Sequence, residues 1–362
     1  MSHNFVDEDD LESIALGAPL LGTGGGGDPY IGKLIAREVI RRKGKVRMIL
    51  LESVPDDALV IASAMMGAPT VFVEKIPSGQ EAVSAFRGLE EFLGEKAYAT
   101  YSIEAGGLNS TIPIGTAASL GLPVVDADGM GRAFPEIQMV SPSIYGLPAT
   151  PMSLADEKGN VVILERTITN EWTERFARTL TIDMGGSAMI ALYPLRGHQA
   201  KRALISGSIS YARRIGEELR SAWARKGDPL RAVLRATRGQ VIFVGKVVDL
   251  ERRTEGGFAR GTVRLRGTGS DERKNLLIRF QNENLVAELD GSVIACVPDL
   301  ISILDAETAI PITTEGLRYG LRSVVVAIPC HRKWRTRKGL ELVGPGYFGY
   351  SATYRPVRRT RG

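Results

Sequence analysis

Cysteine and histidine are scarce in this 362-residue chain, which has two cysteines, Cys296 and Cys330, and three histidines, His3, His198 and His331. Two cysteines exclude a disulfide framework, and neither lies in a sequence context that would activate a thiolate. The histidines are scattered, with no H-x-x-x-H or C-x-x-C spacing, so the common transition-metal patterns are absent. No G-x-S-x-G elbow is present to support a serine nucleophile. No apolar run approaches the roughly 20 residues of a membrane helix. The start of the chain is acidic, with Asp7, Glu8, Asp9 and Asp10, and lacks the basic and apolar parts of a secretory signal. These absences lead us to expect a cytoplasmic protein with no membrane partner and no signature of a resident metal.

The composition is that of a folded chain, 44% hydrophobic and 24% charged, and its length suggests two domains. The net charge of +5 is unevenly spread. From Cys330 onward nine Lys/Arg face a single acid, Glu341, which leaves 37 basic and 40 acidic groups in the rest. No nucleic-acid motif accompanies the basic segment, so no nucleic-acid partner is expected. A solvated or subunit-contacting tail, in a homo-oligomer, is the expectation.

Glycine is plentiful, 41 residues, and clustered. Residues 8–18 read as a short helix, followed by the loop Gly22-Thr23-Gly24-Gly25-Gly26-Gly27-Asp28. Asp28 and Pro29 then suit the N-cap and first turn of a helix over Tyr30–Arg42. Strand-like runs at Val46–Leu51, Ala58–Ala64, Ala97–Ile103 and Leu122–Val125 alternate with helices near Gln80–Leu93 and Ile114–Leu120. This alternation predicts an α/β domain built on a mainly parallel sheet. Asp156–Asn160 turns between two extended segments, and Gly207–Arg225 is a long helix opened by Ser208 and Ser210. From about residue 240 to 330 short strands follow one another without helices, predicting an antiparallel sheet or barrel. The texture changes near residue 235.

Three predicted strands end in polar or glycine-rich loops: Met65–Pro69, Glu104–Ser110 and Asp126–Glu136. In an open α/β sheet these ends share one edge, where ligands bind. Carboxylates gathered there, Glu104, Asp126, Asp128 and Glu136, are candidates for general acid–base chemistry. A divalent ion held near Asp126 and Asp128 is an open alternative to a metal-free site. Gly22, Gly24 and Gly27 satisfy G-x-G-x-x-G with Glu52 beyond them, which raises a nicotinamide-dinucleotide reading. That motif must follow a strand, however, and here it follows a helix, with Asp28 where a pyrophosphate would lie.

Several motifs together resemble the S-methyl thiohydantoin desulfurase family, long carried as a domain of unknown function beside hydantoinase/oxoprolinase proteins. They are Leu21 to Tyr30, Glu104 to Ser110, Gly121 to Glu136, Gly207 to Ser210, Pro298 to Leu300 and Thr314 to Gly320. Trp334 to Thr336, and Gly344-Pro345 with Phe348 to Tyr350, complete the pattern. The resemblance implies a Rossmann-like N-terminal domain over residues 1–165 and a C-terminal domain over 166–362, helical at 166–235 and then β-rich. It also implies a hydrolase that converts an S-methylated thiohydantoin to a hydantoin with release of methanethiol, in ergothioneine-type catabolism. The alternative is a non-catalytic partner subunit of a hydantoinase/oxoprolinase-type enzyme.

On the hydrolase reading, Asp126 or Asp128 activates water and Glu104 or Glu136 acts as the acid. Backbone at Gly24, Gly25, Gly26 and Gly107, with Asp28, Asn109 and Ser110, cradles a five-membered N-heterocycle. Arg132 or Arg318 meets a substrate carboxylate. No cofactor is expected.

Overall fold

The computed structural model describes residues 4–67, 71 and 79–357. His3, Ala68 and Pro69 of the first strand-end loop, and the basic Arg358, Arg359 and Arg361 lie outside the described residues.

Helix α1 (Glu8–Leu21) opens with a reciprocal cap, in which Asp7 accepts from the Asp9 and Asp10 amides and Asp10 accepts from the Asp7 amide. It runs three residues past the predicted end, through Pro19, because Ala18, Leu20 and Leu21 are fully buried there. Apolar burial of this extent outweighs the hydrogen bond that Pro19 removes. Asp28 caps α2 (Pro29–Lys43), accepting from the Tyr30 amide at 2.8 Å, and Gly44 ends that helix at φ 92°.

The first sheet pairs nine strands among the described residues. Four are parallel and adjacent in the order β2 (Val46–Leu50), β5 (Val124–Asp128), β4 (Ala99–Ser102), β3 (Leu59–Gly67). Next to β3 the sheet turns antiparallel, through β8 (Ser187–Arg196), β6 (Met152–Ala155) and β7 (Val161–Leu164). Two short antiparallel strands, β1 (Phe5–Val6) and β9 (Ile205–Ser206), pair with β2 and β5. The expected mainly parallel, Rossmann-like sheet is therefore only half right, since the sheet is mixed. The discrepancy has a simple cause: β8 is buried along most of its length, and a strand apolar on both faces reads alike whichever way it runs.

Helices α3 (Glu81–Leu93) and α4 (Ile112–Leu120) cross between strands, and α5 (Asn170–Asp183), α6 (Ser208–Ala224) and α7 (Pro229–Thr237) follow. Helix α6 lies against α1 at backbone distance: a Cβ on Gly17 would stand 2.0 Å from the Ala212 carbonyl oxygen, and one on Gly216 1.9 Å from that of Ser13. The first structural unit thus draws β8, β9 and α6 from beyond residue 166.

The second sheet is wholly antiparallel: β14 (Ser292–Cys296), β13 (Glu283–Leu289), β12 (Asn275–Gln281), β11 (Phe258–Gly267), β10 (Gln240–Glu255), β17 (Arg322–Ile328), β15 (Leu300–Asp305), β16 (Pro311–Ile312). It curls around its own core of Phe243, Val263, Ile278, Ile303 and Val325. No helix among the described residues is long and apolar enough to cross a membrane.

Candidate functional site

The glycine loop joins α1 to α2 and forms the seam between the two sheets. Thr23, Gly24, Gly26 and Gly27 all have positive φ, between 52° and 93°, a region glycine enters freely. The loop turns its carbonyls outward to three partners: Thr23 O accepts from Asn284 N and Gly24 O from Thr314 N, both at 2.7 Å, and Gly26 O from Leu108 N at 2.8 Å. Helix α1, not a strand, leads directly into it, so the strand–loop–helix geometry of a dinucleotide fingerprint is absent here.

A cleft with about 680 Å³ of empty space lies between the sheets beside this loop. The first domain contributes Gly25, Gly26, Met65 and Met66 at the end of β3, Glu104 and Asn109 after β4, and Met130, Phe134 and Glu136 after β5. All three strand-end loops therefore meet at one place, beyond the carboxyl ends of the parallel strands. The second domain contributes Asn282, Glu283 and Glu315, and α5 contributes Arg178.

Glu104 is buried, and burial pushes its pKa up to about 7, while a 2.7 Å hydrogen bond from Asn109 Nδ2 favours the ionised form. Asn109 fixes that carboxylate in place. Its Oδ1 accepts from Met65 N at 2.7 Å, and its Nδ2 also donates to Met65 O at 3.2 Å. Glu283 faces Glu104 from the other domain. Burial first, then the Glu104 charge, drives its pKa well above the ordinary value, and its Oε2 has no hydrogen-bond partner. The other oxygen lies against the glycine loop, where a Cβ on Gly25 would come within 2.0 Å of it. Glu136 and Glu315 are also raised by burial, and Glu136 accepts from the Tyr347 hydroxyl at 2.9 Å and from Gln138.

The remaining sequence candidates stand elsewhere. Asp126 is an anchor for α6, its Oδ1 accepting from Ile209 N at 2.9 Å and Ser210 N at 3.0 Å and its Oδ2 from the Ser210 hydroxyl at 2.5 Å. Asp128 is fully buried behind the cleft, its Oδ2 bound to the Met130 and Gly131 amides, and burial lifts it to about 7. Arg132 is a buried clamp between the domains, donating to Ala133 O, Pro298 O, Asp299 O and Thr23 Oγ1 at 2.7–3.0 Å and stacking 4.5 Å from Phe134. With those bonds made it has no donor pair aimed at a ligand. Arg318 is exposed and Asp28 lines a separate surface groove. Ser110 holds the Gly106 amide, Gly24 packs on Asn284, and Gly107 lies so close to Gly27 that a Cβ would meet its carbonyl at 1.8 Å.

Sequence reasoning missed Glu283, Asn282, Glu315 and Arg178. For Asn282 and Glu283 the signal was the polar run Gln281-Asn282-Glu283-Asn284, which breaks two apolar strands, and Asn282 turns there at φ 57°; Glu315 lay inside the Thr314 to Gly320 motif without being singled out. Arg178 pairs with Glu174, donates to Pro135 O at 3.3 Å and lies 4.2 Å over Phe258, so it braces the cleft mouth. Both cysteines are buried and raised to about 11 by that burial, far from an activated thiolate. Among the described residues no three His, Cys, Asp or Glu side chains converge in a way that would hold a metal.

A mixed α/β domain and an antiparallel β domain enclosing a cleft with buried carboxylates from both sides define a two-domain protein equipped for acid–base work. The chain belongs to the S-Me-THD-like, S-methyl thiohydantoin desulfurase, family: its N-terminal domain matches over residues 9–166 and its C-terminal domain over 168–357. The crystal structure of a protein from Chromobacterium violaceum is similar, 26% identical with a TM-score of 0.80, over 98% of this chain and 100% of that one. No curated protein matches this chain. Membership of this family suggests a related enzyme.

Proposed function

We propose that the chain is a hydrolase that converts an S-methylated thiohydantoin to the hydantoin and methanethiol in the interdomain cleft. The observation that carries this reading is the facing pair Glu104 and Glu283, one buried carboxyl from each domain, held in different protonation environments. Ionised Glu104 takes a proton from water as the water oxygen bonds to the amidine-like ring carbon. Protonated Glu283 then delivers its proton to the sulfur as the carbon–sulfur bond breaks, so methanethiol leaves neutral. Proton return from Glu104 to Glu283 restores the starting state. Asn109 positions the base, and Met65, Met66, Met130 and Phe134 offer the methylthio group a soft apolar wall.

The base assigned here is Glu104, not Asp126 or Asp128. Asp126 is spent on the helix it anchors, and Asp128 does not line the cleft. The test is turnover by the purified chain alone. Incubation with an S-methyl thiohydantoin should release one thiol per hydantoin formed, followed with a chromogenic thiol reagent. No thiol above the uncatalysed rate would overturn the reading in favour of a partner subunit of a hydantoinase-type enzyme.

A further inference from the structure

Helix α5 buries one face against β3 and β8, through Thr173, Glu174, Ala177 and Thr181. Its opposite face leaves three large apolar side chains in water: Trp172 is 38% exposed, Phe176 47% and Ile182 58%. Ile168, just ahead of the helix, is 86% exposed. The spacing of Trp172, Phe176, Thr179 and Ile182 puts them on one stripe of the helix, and the Trp172 and Phe176 ring centroids are 5.4 Å apart. The solvent face of a helix ordinarily carries polar residues, so a run of aromatic and aliphatic groups there marks a surface that another surface covers.

The charges flanking the stripe identify the covering surface. Arg175 and Asp183 are both exposed, and neither has an ion-pair partner among the described residues; the Arg175 guanidinium lies 4.7 Å over the Trp172 ring. Each stands four residues from Thr179, on opposite sides, about 6 Å along the axis. A second α5 packed parallel would set Arg175 level with Arg175 and Asp183 level with Asp183. Packed antiparallel about Thr179, each Arg175 comes level with Asp183 of the second copy, and two-fold symmetry makes the pair twice. Thr179 suits the crossing point because it is small and its hydroxyl already donates to Arg175 O at 2.9 Å, so covering it strands no polar group.

We infer that this stripe is the seam of a two-fold homodimer, in which α5 packs antiparallel on α5 of a second copy, burying Trp172, Phe176 and Ile182 and pairing Arg175 with Asp183 of that copy. The other face of the same helix carries Arg178, which braces the cleft mouth, and Glu174, whose Oε2 accepts from Ile137 N at 3.0 Å. The seam therefore backs one wall of the cleft. It stands whether or not the cleft acts on a thiohydantoin, and it puts the subunit contact on α5 and not on the basic C-terminal segment.

The test is sedimentation equilibrium of the full chain at concentrations up to about 100 μM. The wild type should show the mass of a dimer, or of a larger even-numbered assembly. Phe176→Glu should weaken association by about a hundredfold or more and halve the mass, with an unchanged circular dichroism spectrum. Arg175→Glu alone and Asp183→Arg alone each set like charges together and should weaken association at least about tenfold, and the double variant Arg175→Glu/Asp183→Arg should restore it. A monomeric wild type, the result expected if the stripe serves an unrelated protein, overturns the inference, as does a Phe176→Glu variant that associates like the wild type. A double variant no tighter than the single ones overturns the antiparallel register.

Discussion

Replacing Asn109 by Leu tests the acid–base assignment through a shift in pH dependence. The side chains have nearly the same shape, but Leu cannot donate to Glu104 Oε1, a bond of 2.7 Å that favours the ionised carboxylate. A hydrogen bond to a charged group is worth roughly 1.5–3 kcal/mol, and each pKa unit corresponds to about 1.4 kcal/mol, so the Glu104 value should rise by about one to two units. From its starting value of about 7, Glu104 would then titrate at about 8 to 9 in the variant.

Because the proposed base works only when ionised, activity rises with pH through this value. At pH 7 the ionised fraction falls from about one half to between about one tenth and one hundredth, a loss of roughly five- to fifty-fold that recovers as the pH approaches 9. The assay is kcat/KM for thiol release across the pH range, on protein whose folding at each pH is checked by circular dichroism. Asn109 also holds both backbone groups of Met65, so a stability loss of a few kcal/mol is expected beside the shift. An acidic limb that stays where it was, or moves down, would refute Glu104 as the base.

Gly25→Ala needs no left-handed backbone, yet its methyl would meet Glu283 Oε1 at 2.0 Å and Cδ at 2.5 Å, forcing the carboxyl out of the cleft. We expect kcat to fall by roughly 10²–10⁴, the contribution of one general acid, at a stability cost of about 1–3 kcal/mol; full activity in the folded variant would remove Glu283 from the mechanism. Asp126→Ala should do the reverse. It loses the acceptor of three hydrogen bonds at the start of α6 and about 2 kcal/mol or more in urea denaturation, with kcat of the folded protein unchanged. Glu104→Gln should abolish turnover and change how stability depends on pH. In the wild type the folded state keeps the Glu104 proton between the unfolded value of 4.5 and about 7. Its contribution is therefore full below that window and lost as the pH rises through it, by roughly 3 kcal/mol. The variant should lack this decline, and a wild type whose stability does not fall across the window would contradict the burial argument.

The cleft's location was legible because it depends on local facts. Strand ends carry glycine and polar residues, and in an α/β sheet those ends share an edge, so Met65–Gly67, Glu104–Asn109 and Met130–Glu136 could be placed together without knowing the fold in detail. Roles at the site depend on distant partners, and these were not legible. Asp126 looked available until Ile209, 83 residues on, proved to own its Oδ1. Arg132 looked like a carboxylate binder until Pro298, 166 residues away, claimed it. Glu283 had the opposite problem. An acid at the start of a strand reads as a solvent-facing residue, and only the glycine loop packed across it takes it out of water.

That last contact separates two uses of glycine in one loop. Gly24, Gly26 and Gly27 have positive φ, so there the backbone conformation requires glycine. Gly25 does not, and what it supplies is space, since the Glu283 carboxyl occupies the volume where a side chain would be. A nucleotide fingerprint uses such space to bring phosphate up to the backbone. Here a carboxyl of the chain itself fills it, and that carboxyl's free oxygen is left among the groups lining a cleft between two domains. The loop's function therefore follows from what faces it across the seam, and its glycine spacing alone could not reveal this.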